Sequence, residues 1–205
     1  MSQYGALYGK WAPIAEETAD ALPTYGESVS LGALTKVTDA PNRVSVTAEG
    51  DDQVQDSLDE FTGGTVDILF AAGTPNEAKA KIWGADISED GELVMGVDDE
   101  APYGGYAFAR RMIKGSHKYF QGVFYPKLKA VPQGEENNTR LKSGTTLTGD
   151  TIHMLWEAPL FGKYKYISGE LATEAEAKAW VDAKVGGAAA AAASSEPEGG
   201  NSEST

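Results

Sequence analysis

The chain has no cysteine, only two histidines and no apolar run long enough to span a bilayer. Without cysteine there is no disulfide framework, thiol nucleophile or cysteine metal site. The two histidines, His117 and His153, are not at mutual ligand spacing, and Ser116 and His117 are adjacent, so on a strand their side chains point to opposite faces. The first residues carry neither a basic region nor the apolar core of a secretory signal. No G-x-x-x-x-G-K-[ST] phosphate loop occurs. Asp86-Ile87-Ser88-Glu89-Asp90-Gly91 starts like a calcium loop, but Val97 stands where a bidentate glutamate is needed. Carboxylates are too numerous for any pair to be singled out as a glycosidase dyad. Cofactors, metals and catalytic residues are therefore not expected.

Basic residues are scarce as well, 17 against 31 acids, for a net charge of −14. Phosphate would be repelled by such a chain rather than gripped. The cations are also segregated. Residues 1–100 hold five lysines and arginines against twenty acids, whereas residues 101–134 hold six and no acid. Those six are Arg110, Arg111, Lys114, Lys118, Lys127 and Lys129. Such a chain can present one surface of each sign, and unlike surfaces meet when copies meet.

Strand signals dominate what is there. Val29–Thr38 and Arg43–Glu49 read as strands joined by a turn at Asp39-Ala40-Pro41-Asn42, with Val44, Val46 and Ala48 on a half-buried face. Thr65–Ala71 alternates Val66, Ile68 and Phe70 against Asp67. Between these strands, Gly50–Gly64 holds Asp51, Asp52, Asp56, Asp59 and Glu60 and reads as a long solvated loop. Asp90-Gly91 marks a hairpin. Tyr103–Ile113, Lys118–Val131 and Thr145–Glu157 complete the strands. In the second of these Phe120, Phe124 and Leu128 fall on one face, with Tyr119, Val123, Lys127 and Lys129 on the other, and Pro126 marks an edge or a bulge. Ile152, Met154 and Trp156 alternate in the third.

Thr74-Pro75-Asn76-Glu77 offers a threonine N-cap for a helix ending at Gly84, and Thr173-Glu174-Ala175-Glu176 opens a second helix that Gly186 closes. The expected fold is mainly β (α+β): an antiparallel β-sandwich or partly closed barrel with one or two flanking helices and a long inter-strand loop. The domain spans residues 1–185. Residues 186–205, rich in Ala, Ser, Gly and Glu, read as a disordered tail.

The order of motifs resembles a known family. Tyr4-Gly5-Ala6-Leu7-Tyr8-Gly9 precedes Tyr25-Gly26-Glu27 and the strand to Thr38, then Ala48-Glu49-Gly50-Asp51-Asp52 and Gly63-Gly64-Thr65-Val66-Asp67-Ile68. A short helix to Gly84, the Asp90–Val94 hairpin, Ala101-Pro102-Tyr103 and Lys118-Tyr119-Phe120 through Gly134-Glu135-Glu136 follow. Over residues 4–185 this series resembles the major tail proteins of phages with long, non-contractile tails. That resemblance implies a virion protein that forms hexameric rings stacked into a tube, through which DNA passes without specific binding. It implies tape-measure, tail-terminator and tail-tip proteins as partners, assembly in the host cytoplasm, no membrane, and no catalytic residue or cofactor. It also implies a long loop reaching the neighbouring ring, for which Gly50–Gly64 is the candidate.

Candidate subunit contacts are Asp51, Asp52, Asp56, Asp59 and Glu60 against Arg110, Arg111, Lys114, Lys127 and Lys129 of another copy. Asp67 is the candidate lumen-facing acid. The other readings are a carbohydrate- or protein-binding β-sandwich module using Trp156 or Trp180 as a stacking platform, a hydrolase, and a single-strand binder using the Tyr/Phe residues of 103–125. For each tryptophan, core packing is the favoured role.

Overall fold

Val66, Ile68 and Phe70, and opposite them Ile152 and Met154, are all buried, so the alternation seen in the sequence is the inner face of a sheet. The computed structural model describes residues 2–50, 53–133 and 149–186. The expected tail from 187 onward and residues 145–148 of the expected third strand lie outside the described residues.

The elements, in chain order, are β1 (Ser2–Glu16), β2 (Thr24–Tyr25), β3 (Val29–Ser30), β4 (Leu34–Gly50) and β5 (Gln53–Phe70), then helix α1 (Asn76–Trp83). They continue with β6 (Asp86–Ile87), β7 (Leu93–Val94), β8 (Tyr103–Lys114), β9 (His117–Val131), β10 (Thr151–Trp156), β11 (Tyr166–Ile167) and α2 (Glu174–Val185). One nine-stranded sheet runs β2-β1-β8-β9-β10-β5-β4, with β3 added on β1 and β11 on β9. All its pairings are antiparallel. The sheet does not close. A separate ribbon pairs β6 with β7. The fold is thus mainly antiparallel β with two helices, as expected.

The sheet buries both faces. On one, Trp11, Tyr106, Phe108, Tyr125, Leu128 and Trp156 pack with Leu31 and with Ile82 and Trp83 of α1. On the other, Ala107, Ala109 and Phe124 receive Ala177, Val181 and Val185 of α2. Small residues on the sheet let α2 approach: a Cβ on Gly122 would lie 2.1 Å from the Trp180 ring.

Four local expectations change. Asp39–Asn42 is not a turn, because β4 runs through it paired with Val66 to Gly63 of β5. Pro41 has no N–H to donate, which an edge strand tolerates. The Pro-Asn step is absorbed by a bulge in the partner: Asn42 faces Gly63 and Arg43 faces Phe61, leaving Thr62 unpaired. Of the stretch expected as a loop from 50 to 64, Gly50 ends β4 and residues 53–64 are the first two thirds of β5, which pairs with β4 out to Gly50 and Gln53.

On β9, Phe120 and Phe124 share the α2 face, whereas Leu128 joins Val123 and Tyr125 on the other. Gly104 faces Leu128 and Tyr106 faces Tyr125, so Pro126 and Lys127 oppose the single residue Gly105. That bulge, which Pro126 does mark, flips the parity of the strand. The freed carbonyl of Pro126 accepts the Tyr25 hydroxyl at 2.8 Å.

Finally, Thr74 does not cap α1. Pro75 occupies the cap position without a side-chain bond, and the Thr74 amide donates to Asp150 at 2.8 Å. Gly84 does close α1 in the left-handed region. The α2 start forms as expected, with Glu176 N–H donating to the Thr173 hydroxyl at 3.2 Å. Gly186 ends α2, at φ −78°.

Candidate self-association surfaces

Past Trp156, where β10 ends opposite Gly64, β4 and β5 go on with only each other for partners. From Arg43↔Phe61 to Gly50↔Gln53 they form a two-stranded arm, about 25 Å long at roughly 3.3 Å per residue. Its root is anchored. Phe61 stacks on Tyr164 with ring centroids 4.0 Å apart, and both rings meet Trp156 edge-on. Arg43 Nε donates to both carboxylate oxygens of Asp59, at 2.9 and 3.1 Å, and that bond holds the Asp59 carboxyl below its ordinary range.

The face expected to be half-buried joins neither core cluster among the described residues. Val44, Val46 and Leu58 are 49, 55 and 53 % exposed. Val46 lies directly opposite Leu58, and Val44 opposite Glu60, so three apolar side chains make one stripe bordered by acid. A lone two-stranded ribbon with a wet apolar face is marginal in water, and an apolar row on an open edge is a template for another chain. This stripe is the site feature that reading the sequence missed. The signal was present in the strand opposite, whose acids leave no core for Val44 and Val46 to face.

Of the acidic contact candidates, Asp59 is held by Arg43 and Glu60 is exposed on the stripe side. Asp56 is placed by its backbone alone, and Asp51 and Asp52 lie outside the described residues.

Four of the five basic candidates have partners in their own chain. Lys127 Nζ lies 2.9 Å from Glu17, both largely covered, and sits over the Tyr103 ring. Lys129 lies 2.8 Å from Glu100. Arg111 lies 2.9 Å from Glu174, which also holds Lys178 one helical turn on. Lys178 first and then Arg111 hold the Glu174 carboxyl below its ordinary range. Arg110 donates to Gln121 Oε1 at 3.0 Å while its buried Nε has no partner. Among the described residues, Lys114 and Lys118 stand exposed without an ion pair. Three cations of the basic stretch therefore tie the sheet to residues outside its strands, and those at the β8–β9 turn stay without an ion pair among the described residues.

Asp67 lies opposite His153 in the β5–β10 register, on the face away from Val66 and Ile68, and its carboxylate contacts His153 Nδ1. His117 lies 3.3 Å from Glu170. Among the described residues no group of three or more His, Asp or Glu is placed to hold a metal ion, and no helix is long and apolar enough to cross a membrane. Trp156 is buried with its Nε1 donating to the Tyr164 carbonyl at 3.0 Å, and Trp180 packs over Gly122 with Lys184 against its ring. Neither offers a free stacking platform.

No protein-family model and no curated protein matches the chain.

Proposed function

We propose that this chain is a structural subunit that associates with its own kind into stacked rings, making a tube with an acidic bore. The observation that carries this reading is the arm. Eight residues of β4 run beyond the sheet and expose an apolar stripe that belongs to neither core cluster among the described residues. A chain that keeps such a stripe in water gains by laying it on a neighbour. The resemblance of the motif order to that of major tail proteins supplies the proposed form of the assembly: hexameric rings and a conduit for DNA, in a virion tail.

Charge supports the same reading. Nine of its cations are engaged in ion pairs inside the subunit, and the chain as a whole carries a net charge of −14. A bore lined that way lets DNA slide, because a basic lining would hold it by counterion release. Asp67, with His153 beside it, is the acid offered for that lining.

Negative-stain electron microscopy of the purified full chain over a range of concentrations tests this. Rings or tubes with a central hole are expected. A chain that stays monomeric at every concentration and ionic strength refutes it.

A further inference from the structure

Residues 85–100 form a lobe of their own between α1 and β8. They hold seven acids and no base, and four large apolar side chains stand in solvent among them: Ile87, Val94, Met95 and Val97. Val97 is fully exposed. The backbone is nonetheless ordered by its own bonds. Gly91 N–H donates to the Ser88 carbonyl and Ser88 N–H to the Glu92 carbonyl, both at 3.0 Å, and Gly96 N–H donates to the Asp99 carboxylate at 2.7 Å.

Two cations that border the lobe are already taken, Lys129 by the lobe's own Glu100 and Lys81 by Glu27. Asp86, Glu89, Asp90, Glu92 and Asp98 have no basic partner among the described residues.

The complementary feature is the β8–β9 turn. Lys114 and Lys118 flank Gly115-Ser116-His117, both exposed and, among the described residues, without an ion pair, while Glu170 lies against His117. Beside them on β1 is Tyr4, half exposed, between residues registered with Met112 and Arg111. The lobe leads into the first residue of β8, and Lys114 is its last. Eleven residue steps of strand, about 36 Å at roughly 3.3 Å each, hold the two features apart within one copy. They cannot meet in cis. In trans they fit as unlike ends, which is the condition for head-to-tail association.

We propose that the acidic, apolar lobe of residues 85–100 docks on the Lys114/Lys118 turn of a second copy of this chain. This rests on the reading that copies associate, and names surfaces additional to the arm through which they do so. The occupant is a second copy because the chain itself carries the matching charge, at a spacing that only another molecule can use. The lysines oppose the free carboxylates, and Tyr4 gives Val94, Met95 and Val97 an apolar counterpart.

The test is zero-length carbodiimide cross-linking of the assembled full chain, read by peptide mass spectrometry. Because 36 Å cannot be bridged by a zero-length link, any amide between Lys114 or Lys118 and the lobe is intermolecular. Such links are expected, and in K114E/K118E the assembly should weaken at least tenfold. Mixing that variant with E89K/D90K/E92K should recover it, since the reversed pair is again complementary.

Rings whose links join other residues, or whose assembly ignores the reversals, overturn the docking and leave the tube. Links at this pair in assemblies without a bore uphold the docking and remove the tube. A chain that never associates overturns both.

Discussion

The apolar stripe of the arm gives the sharpest quantity. Replacing Val44, Val46 and Leu58 together by threonine keeps side chains suited to a strand while removing what a docking partner would desolvate favourably. Burying a whole Val or Leu side chain contributes roughly 1.5–3 kcal/mol. Each of the three is already about half covered, so docking would gain about 0.8–1.5 kcal/mol apiece, or about 2–4 kcal/mol per arm. The threonine hydroxyls add a desolvation cost in the same direction. Ordering the interface takes back part of the gain, so the lower figure is the safer one, and 1.4 kcal/mol corresponds to about tenfold.

The triple variant should therefore need at least about tenfold more protein to assemble, measured by sedimentation velocity across a dilution series. Its thermal unfolding should barely move, because substitutions at exposed sites typically change stability by no more than about 0.5 kcal/mol each. If assembly is unchanged within threefold while the fold is intact, the arm is not the contact and the main support for self-association is gone.

Two further predictions concern what positions these surfaces. Gly122→Ala would drive a methyl into the Trp180 ring, where a Cβ has only 2.1 Å, and should lower unfolding stability by about 1–3 kcal/mol as α2 is levered off the sheet; Gly169→Ala, with nothing within 4 Å of a Cβ, is the matched control in urea unfolding. Asp150→Asn should cost about 1–2 kcal/mol, since its carboxylate holds Lys79 at 2.8 Å and the Thr74 amide at 2.8 Å. Partial burial pushes the Asp150 carboxyl up, but the bonds from Lys79 and Thr74 outweigh it and hold it below its ordinary range. Its contribution is thus full above the unfolded-state value and fades as pH falls through the lower folded one. Wild type should lose more stability than Asp150→Asn on acidification below about pH 4.

The central sheet was legible because β10 and the stretch of β5 beyond its bulge obey the period of two: Val66, Ile68 and Phe70 and Ile152, Met154 and Trp156 all face inward. Parity failed on β9, where a single extra residue at Pro126 reversed every side chain beyond it. The proline announced the bulge, but sequence gives no way to say which residue it leaves unpaired. The arm was misread twice, for one reason. Acids and a Pro-Asn step both signal a break when the strand is imagined in a core, yet an edge strand in water accommodates both.

The Thr74 cap failed for a nonlocal reason, since Asp150 arrives from the start of β10 to take the amide. The same limit applies to the cations. A run without acids in sequence looked like a free basic surface, and the partners that neutralise half of its six cations (Glu17, Glu100, Glu174) come from elsewhere in the chain.

Ionic strength should separate the two kinds of contact. Copies that each carry −14 repel one another, and at 0.01 M salt, with a Debye length of about 30 Å, that repulsion spans the subunit. At 0.15 M the length is about 8 Å, so whole-molecule repulsion fades while lysine–carboxylate pairs in contact still attract. At 1 M, about 3 Å, those pairs lose most of their advantage and only apolar contacts such as the arm stripe persist. Assembly is therefore expected to rise from low salt to about 0.15 M, and then to fall in wild type but not in K114E/K118E. Light scattering across that series reads it directly. A steady decline from the lowest salt upward would mean that attraction between large opposite fields, rather than short-range docking of an acidic subunit on itself, governs the association.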